Sequence, residues 1–332
     1  MRDIVKWGVL GAAKIALVKV IPGMQRGDWS DVIAIGSRDA EKAKKAADSL
    51  GIQRAYGSYE ELLADPEIEA IYNPLPNHLH VPWSIRAAEA GKHVLCEKPI
   101  GLSSQECREL MVVRDRTGVK ISEAFMVRVH PQWIHARDLI RSGAIGALRS
   151  IVSAFSYFNR DPQNIRNVEE WGGGALMDIG CYPVQISRFL FGSEPLRAIG
   201  AFERDPEMRI DRLISGTLDF GAGQSVFTCS TQMTPFQRVQ ILGTTGRIEI
   251  EIPFNAPPDK PTRIFVDEGA GFRTEEFGVC DQYTLQGDMF SKAVRGQGEV
   301  PTPLEDSLAN MVVIEALFAS ELSKSWVEIA IG

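Results

Sequence analysis

The sequence has no apolar stretch long enough to cross a membrane as a helix; the apolar run around Val312 is broken by Glu315. It also lacks any run of lysine or arginine. Basic residues number 36 against 43 acidic ones, giving a net charge of −7, which repels phosphate backbones and anionic lipid. Neither a nucleic acid nor a membrane is therefore expected as a partner. Cysteine is scarce: Cys96, Cys107, Cys181, Cys229 and Cys280 are odd in number and contain no Cys-x-x-Cys pair. Reduced thiols in a cytoplasmic protein follow, and a cysteine-based metal centre does not. No cluster of His, Cys, Asp and Glu has ligand spacing, so no metal is expected. There is no internal repeat and no low-complexity linker. Met1–Gly8 is charged and then enters a short apolar run, which reads as a buried strand, with no secretory leader before it.

What is present is a change of rhythm. Over residues 1–125, short apolar runs at Val5–Leu10, Val32–Ile35, Ala70–Tyr72, Val94–Cys96 and Lys120–Ser122 alternate with helical patterns. Asp39 and Gly51 bracket one helix as N-cap and C-cap, and Ser58 with Glu61 and Ser103 with Glu106 form capping boxes for two more. This alternation predicts an α/β Rossmann domain with a parallel sheet covered on both faces. From 126 onward, helices at Pro131–Ser142, near Gly174–Leu190, and over 281–295 and 304–323 flank a series of strands. Those strands read as 148–158, 196–203, 213–220, 224–232, 238–242, 247–252 and 262–266, several separated by glycine turns. The second domain, 126–332, is expected to be α+β with a large open, mainly antiparallel sheet. The acidic residues scattered over 203–219 and 267–281 read as solvated faces.

Directly after the first strand stands Gly11-Ala12-Ala13-Lys14-Ile15-Ala16. Against the dinucleotide fingerprint G-x-G-x-x-G/A, Gly11, Ala13 and Ala16 take the three small positions. A pyrophosphate would then lie over the N–H groups of the following helix. The other reading is a tight strand–helix turn with no ligand. The second strand ends in Ser37-Arg38-Asp39. Arginine suits a 2′-phosphate, while Asp39 is placed to cap the next helix, so NADP is favoured, with NAD as the second option. Arg38 could equally only stack on adenine.

Two further segments carry chemistry. Glu97-Lys98-Pro99 closes a strand at its carboxyl end, where open α/β sheets bind ligands. Lys98 there can donate to a substrate hydroxyl and depress the pKa of a neighbouring phenol; the plain alternative is a solvated lysine. In Gly172-Gly173-Gly174-Ala175-Leu176-Met177-Asp178-Ile179-Gly180-Cys181-Tyr182-Pro183, Asp178 and Tyr182 are four apart and share a helix face. A carboxylate and a phenol together can hold a polyol and shuttle a proton, although a surface aspartate and a core tyrosine would show the same spacing. Pro183 predicts a kink or a helix start nearby.

These motifs, with Tyr72-Asn73-Pro74-Leu75-Pro76-Asn77-His78-Leu79-His80 and Gly91-Lys92-His93-Val94-Leu95-Cys96-Glu97-Lys98-Pro99, resemble the glucose–fructose oxidoreductase/inositol dehydrogenase family over nearly the whole chain. Many members carry histidine four residues after the aspartate. Tyr182 at that place, and Glu123-Ala124-Phe125-Met126-Val127-Arg128-Val129-His130-Pro131, resemble the branch of dihydrodiol dehydrogenase and D-xylose 1-dehydrogenase. The resemblance implies that Lys98, Asp178 and Tyr182 form the active site, with Tyr182 as acid/base. It also implies that Leu75, Asn77, His80, Glu97 and Glu123 line the cofactor cleft. Phe158, Arg166 and Trp171 are the candidates for the sugar pocket. His80 at a helix start has an alternative role in capping backbone groups.

The activity so implied is an NADP-preferring oxidoreductase acting on a CH–OH carbon of a sugar or related polyol. The rivals are an NADPH-dependent reductase of a sugar ketone or dicarbonyl, and a non-catalytic NAD(P)-sensing protein. The open sheet leaves a broad face, and the resemblance implies a homodimer or homotetramer through it.

Overall fold

The structure, a computed structural model, describes residues 3–269 and 271–331 and divides into two compact units. The first comprises residues up to Val129 together with Asp281–Ser307; the second comprises His130–Cys280 and the chain from Leu308 onward.

Among the described residues the first unit is built on a six-stranded parallel sheet: β1 (Val5–Leu10), β2 (Ser30–Gly36), β3 (Arg54–Tyr56), β4 (Ala70–Asn73), β5 (His93–Cys96) and β6 (Ile121–Glu123), in the order β3-β2-β1-β4-β5-β6. The order reverses beside β1, which places the ligand crevice of such a sheet at the carboxyl ends of β1 and β4. Helices lie between the successive strands: the short α1 (Ile21–Gln25), α2 (Ala40–Leu50), α3 (Tyr59–Ala64), α4 (His80–Glu89) and α5 (Ser104–Thr117). Their caps obey local chemistry. Asp39 accepts from Lys42 N–H, Ser58 from Glu61 N–H and Ser103 from Glu106 N–H. The return bonds of Glu61 and Glu106 land one residue earlier than a capping box predicts, on the N–H groups of Gly57 and Leu102.

A domain boundary after residue 125 does not account for 281–307, which belongs to the first unit. Its helix, Gln282–Val294, lies against the sheet. Ser291 Oγ accepts from the fully buried Trp7 indole at 3.1 Å and pairs with Ser30 Oγ at 3.0 Å. Asp288 accepts from the N–H groups of Asp28 and Trp29. These contacts join residues more than 250 positions apart, so sequence periodicity carries no trace of them.

The second unit holds a nine-stranded sheet among the described residues. Its strands are β7 (Leu148–Phe158), β8 (Arg197–Arg204), β9 (Asp211–Asp219), β10 (Gln224–Ser230), β11 (Gln232–Gly243), β12 (Arg247–Ile250), β13 (Thr262–Asp267), β14 (Phe272–Phe277) and β15 (Val327–Glu328). The order β14-β13-β12-β11-β7-β10-β9-β8-β15 is antiparallel except where β7 and β10 run parallel, with Val226 beside Val152. The exception follows from connectivity. After β7 the chain leaves the sheet, re-enters as the β8–β9–β10 meander, and closes on the strand it left. One sheet face is covered by a helical segment that starts with a π-helical turn, Leu176–Gly180, and continues as an α-helix, Cys181–Phe191. The kink or helix start expected around Pro183 takes this form, with the α-helix beginning two residues before the proline.

Two acidic residues depart from the solvated-face reading. Asp205 and Asp211 are buried. Asp205 accepts from the N–H groups of Glu207 and Met208 in a turn, and Asp211 accepts from Leu176 N–H at 2.7 Å.

Candidate active site

The dinucleotide side is built in the first unit. Gly11 follows β1 with φ +80°, and its N–H reaches Gly36 O at 2.7 Å, binding the two strand ends together. A Cβ there would meet Leu75 Cδ2 at 3.0 Å and Tyr59 Oη at 3.4 Å, so glycine is required by both conformation and space. Ala12, Ala13 and Ile15 are half-exposed and Lys14 is exposed, leaving the turn open to a ligand. Helical structure begins at Lys14 and passes through a π-helical turn at Ala16–Val20. Ser37 is buried at the end of β2 and accepts from Asp39 N–H, while Arg38 is exposed. Burial holds the Tyr59 phenol above its usual value, and the Arg38 guanidinium beside it pulls the other way. His78 is held low by burial and by the same Arg38 charge. Arg38, Tyr59 and His78 thus gather near the Gly11 turn. An open glycine turn at a helix start, a small buried serine and an exposed guanidinium fit a phosphorylated dinucleotide.

The loops after β4, β5 and β6 are tied by one buried network. Asn73 donates from Nδ2 to His80 O and Ser84 Oγ, and accepts from Leu75 N–H. His80 is fully buried, with Nδ1 2.7 Å from Pro99 O and Nε2 2.6 Å from Leu75 O. A neutral imidazole donates from only one nitrogen. Burial pushes His80 down to about 4 against the pull of both carbonyls, and the nearby Lys98 charge adds to the lowering. His80 therefore bridges the two loops from beneath, and its ring is sealed from solvent. Glu123 is also buried, and its Oε1 accepts from Ile100 N–H at 2.8 Å. Glu97 accepts from the Tyr72 hydroxyl at 2.6 Å; burial together with Glu97 drives that phenol well above its ordinary range. Leu75 is buried against the Gly11 turn, whereas Asn77 and Lys98 are half-exposed.

The second unit gathers the other predicted groups. Asp178 is buried, with Oδ1 accepting from Arg166 Nε at 2.9 Å and Oδ2 from the Tyr157 hydroxyl at 2.5 Å. Burial and the Asp178 charge hold the Tyr157 phenol far above its usual value, so it stays a neutral donor. Tyr182, one turn along, packs its ring 5.9 Å from Phe155 and 5.4 Å from Phe254, which themselves stack at 4.7 Å. Trp171 closes a short turn and is 38% exposed. Phe158 does not join this group: successive strand residues point to opposite faces, and it is 63% exposed beyond Tyr157. Tyr157, Phe155 and Phe254 escaped the sequence reading. Alternation along β7 could have paired Phe155 with Tyr157, but only the register shows which face meets Asp178. Among the described residues no group of three or more His, Cys, Asp or Glu could hold a metal ion, and no helix is long and apolar enough to cross a membrane.

Comparison with known proteins agrees with both halves of this arrangement. Residues 5–125 match the oxidoreductase family with an NAD-binding Rossmann fold, and residues 133–249 match the GFO/IDH/MocA C-terminal domain. An uncharacterised oxidoreductase of Rhizobium meliloti is 47% identical, covering 98% of this chain and 99% of its own. A D-xylose 1-dehydrogenase (NADP(+)) of Haloferax volcanii is 37% identical over 97% of this chain and 99% of its own. A crystal structure of a 3-ketoreductase from Actinomadura kijaniata, in complex with NADP and TDP-benzene, superimposes with a TM-score of 0.88 at 27% identity. That match covers 96% of this chain and 98% of the other. With both units matched and relatives aligned end to end, the chain belongs to the GFO/IDH/MocA family of nicotinamide-dependent oxidoreductases.

Proposed function

We propose that the protein is an NADP-preferring dehydrogenase of a sugar or related polyol, oxidising a CH–OH carbon to a lactone or ketone. The observation that carries the reading is the Asp178–Tyr182 pair: a carboxylate held by Arg166 and Tyr157, one turn from a phenol set among aromatic rings. Bound nicotinamide supplies the two-electron acceptor. The residues do the rest. Tyr182, acting as its phenolate, accepts the hydroxyl proton as the hydride leaves the same carbon; the Lys98 charge favours that ionised form and its ammonium donates to the hydroxyl oxygen. Asp178 accepts from a neighbouring hydroxyl and orients the ring, the kind of positioning that lowers the barrier most cheaply. Arg166 and Trp171 border the sugar.

The NADP preference is supported by the end of β2. Asp39 spends its carboxylate on Lys42 N–H at 3.1 Å, and the exposed Arg38 is the first charged group after the strand. The D-xylose 1-dehydrogenase relative uses the same dinucleotide by name. Rates with a panel of aldoses, inositols and anhydro sugars, using NADP and NAD and read by absorbance of the reduced cofactor, test the proposal. Tyr182→Phe and Lys98→Met should each abolish turnover while NADPH still binds; full activity in either removes that residue from the mechanism. Arg38→Ser should raise the KM for NADP about 10–100-fold, the worth of a charge-assisted phosphate contact, and leave NAD unchanged.

The similarity to a 3-ketoreductase favours a second reading in which the physiological direction is reduction of a sugar ketone. Steady-state rates in both directions separate the two. We also propose self-association through the large sheet, where Val152 and Val226 lie side by side, each 41% exposed. A monomer in sedimentation at micromolar concentration would refute it.

A further inference from the structure

The glycine triplet before the Asp178 helix has a different cause at each position. Gly172 ends a short turn at φ +76°. A Cβ on Gly173 would run into the carbonyls of Arg166 and Val168. Gly174, at φ +116°, brings its backbone so close to Asp211 that a Cβ would overlap Oδ1 and approach Cγ to 2.9 Å. Asp211 begins β9, is 1% exposed, and its Oδ2 accepts from Leu176 N–H at 2.7 Å. Leu176 opens the π-helical turn that carries Asp178, and Asp178 N–H in turn bonds Gly174 O at 3.0 Å. Orphan N–H groups at a helix start are ordinarily met by the residue just before it. Here the donor is met by a strand 35 residues away in sequence.

We propose that Asp211 is a positioning residue of this active site, pinning the first turn of the segment that presents Asp178 and Tyr182. The inference rests on the dehydrogenase reading above for the roles of those two residues. The geometry is selective: the bond is short and sealed from water, and Gly174 is the one residue type that lets the carboxylate reach Leu176. Groups facing Asp211 include Arg204, Glu321 and the thiol of Cys229, and Arg204 is itself engaged by Glu321 at 2.6 Å. Burial raises the Asp211 carboxyl to about 7, so a neutral amide is a fair mimic of one of its two working forms.

The test uses Asp211→Ala and Asp211→Asn in the full chain, with two readouts. Amide hydrogen exchange reports the anchor itself. In Asp211→Ala, peptides spanning 175–182 should exchange about tenfold faster or more, while those spanning 80–89 stay unchanged. In Asp211→Asn the amide oxygen still accepts from Leu176, and protection should largely return. Turnover of the best aldose from the panel above, with NADP, reports positioning. The kcat should fall about 10–100-fold in Asp211→Ala with the NADPH dissociation constant unmoved, and recover in Asp211→Asn. Unchanged exchange over 175–182 overturns the anchor. Faster exchange with an unchanged kcat overturns the positioning role, leaving a structural contact. If Tyr182→Phe and Asp178→Asn retain full turnover, the dehydrogenase reading fails, and the exchange experiment still decides the anchor.

Discussion

Replacing Gly174 by alanine should destabilise the second unit far more than the same change at another glycine of positive φ. Two costs are added at Gly174. The backbone at φ +116° is nearly glycine-only, and holding alanine there costs about 1–3 kcal/mol. The new Cβ would also overlap Asp211 Oδ1, so the carboxylate must withdraw from Leu176. Leaving the buried Leu176 N–H without its acceptor costs about 1–3 kcal/mol. Together these give about 2–6 kcal/mol, or about 4–24 °C in Tm for a unit of this size. Gly192 is the control. It caps the helix Cys181–Phe191 at φ +65°, and a Cβ there meets nothing within 4 Å. Only the left-handed strain remains, about 1–2 kcal/mol, partly offset by the stiffer unfolded chain. Scanning calorimetry of the two variants beside the parent measures the difference. Equal shifts, or a Gly174→Ala midpoint within about 3 °C of the parent, would refute the assignment of a close approach between Gly174 and Asp211.

Tyr157→Phe removes a donor to the buried Asp178 and should lower kcat/KM about 10–100-fold, with a Tm loss of about 2–12 °C from the lost hydrogen bond; unchanged kinetics would show that Tyr157 does not help to place the carboxylate. The Asp205 carboxyl is held down at about 2, first by Met208 N–H and then by the Gln232 amide. Its folded pKa is depressed, so its stabilisation is present above the unfolded value and disappears as pH falls from about 4 toward 2. Asp205→Asn should flatten the fall of Tm across that window, and a parallel pH profile would contradict it. Four of the five cysteines are buried and Cys280 is partly exposed. A thiol reagent should therefore modify one group quickly in the native protein and the other four only after unfolding; rapid reaction of two or more would disagree with the packing.

Much of this molecule was legible from local patterns, because those patterns are short-range physics. The β1, β4 and β5 apolar runs, the Asp39, Ser58 and Ser103 caps and the Gly51 C-cap each need only neighbouring residues, and each stands where the sequence puts it. The strands β3, β14 and β15 were missed: they are short or at sheet edges, and their apolar period is weak. The candidate residues Lys98, Asp178 and Tyr182 come from motifs within a dozen positions of chain. Their surroundings do not.

Sequence alone determined the two-part α/β and α+β organisation, the glycine turn after β1 and the helical spacing of Asp178 to Tyr182, since periodicity, capping and turn chemistry are written in consecutive residues. Only the tertiary structure decided that Tyr157 rather than Phe158 reaches Asp178, that His80 is sealed between two carbonyls, that 281–307 packs with the first unit, and that Asp211 leaves the surface to hold Leu176. Each of these depends on register or on a contact across tens to hundreds of residues, where burial and hydrogen-bond satisfaction select the partner and no local pattern records the choice.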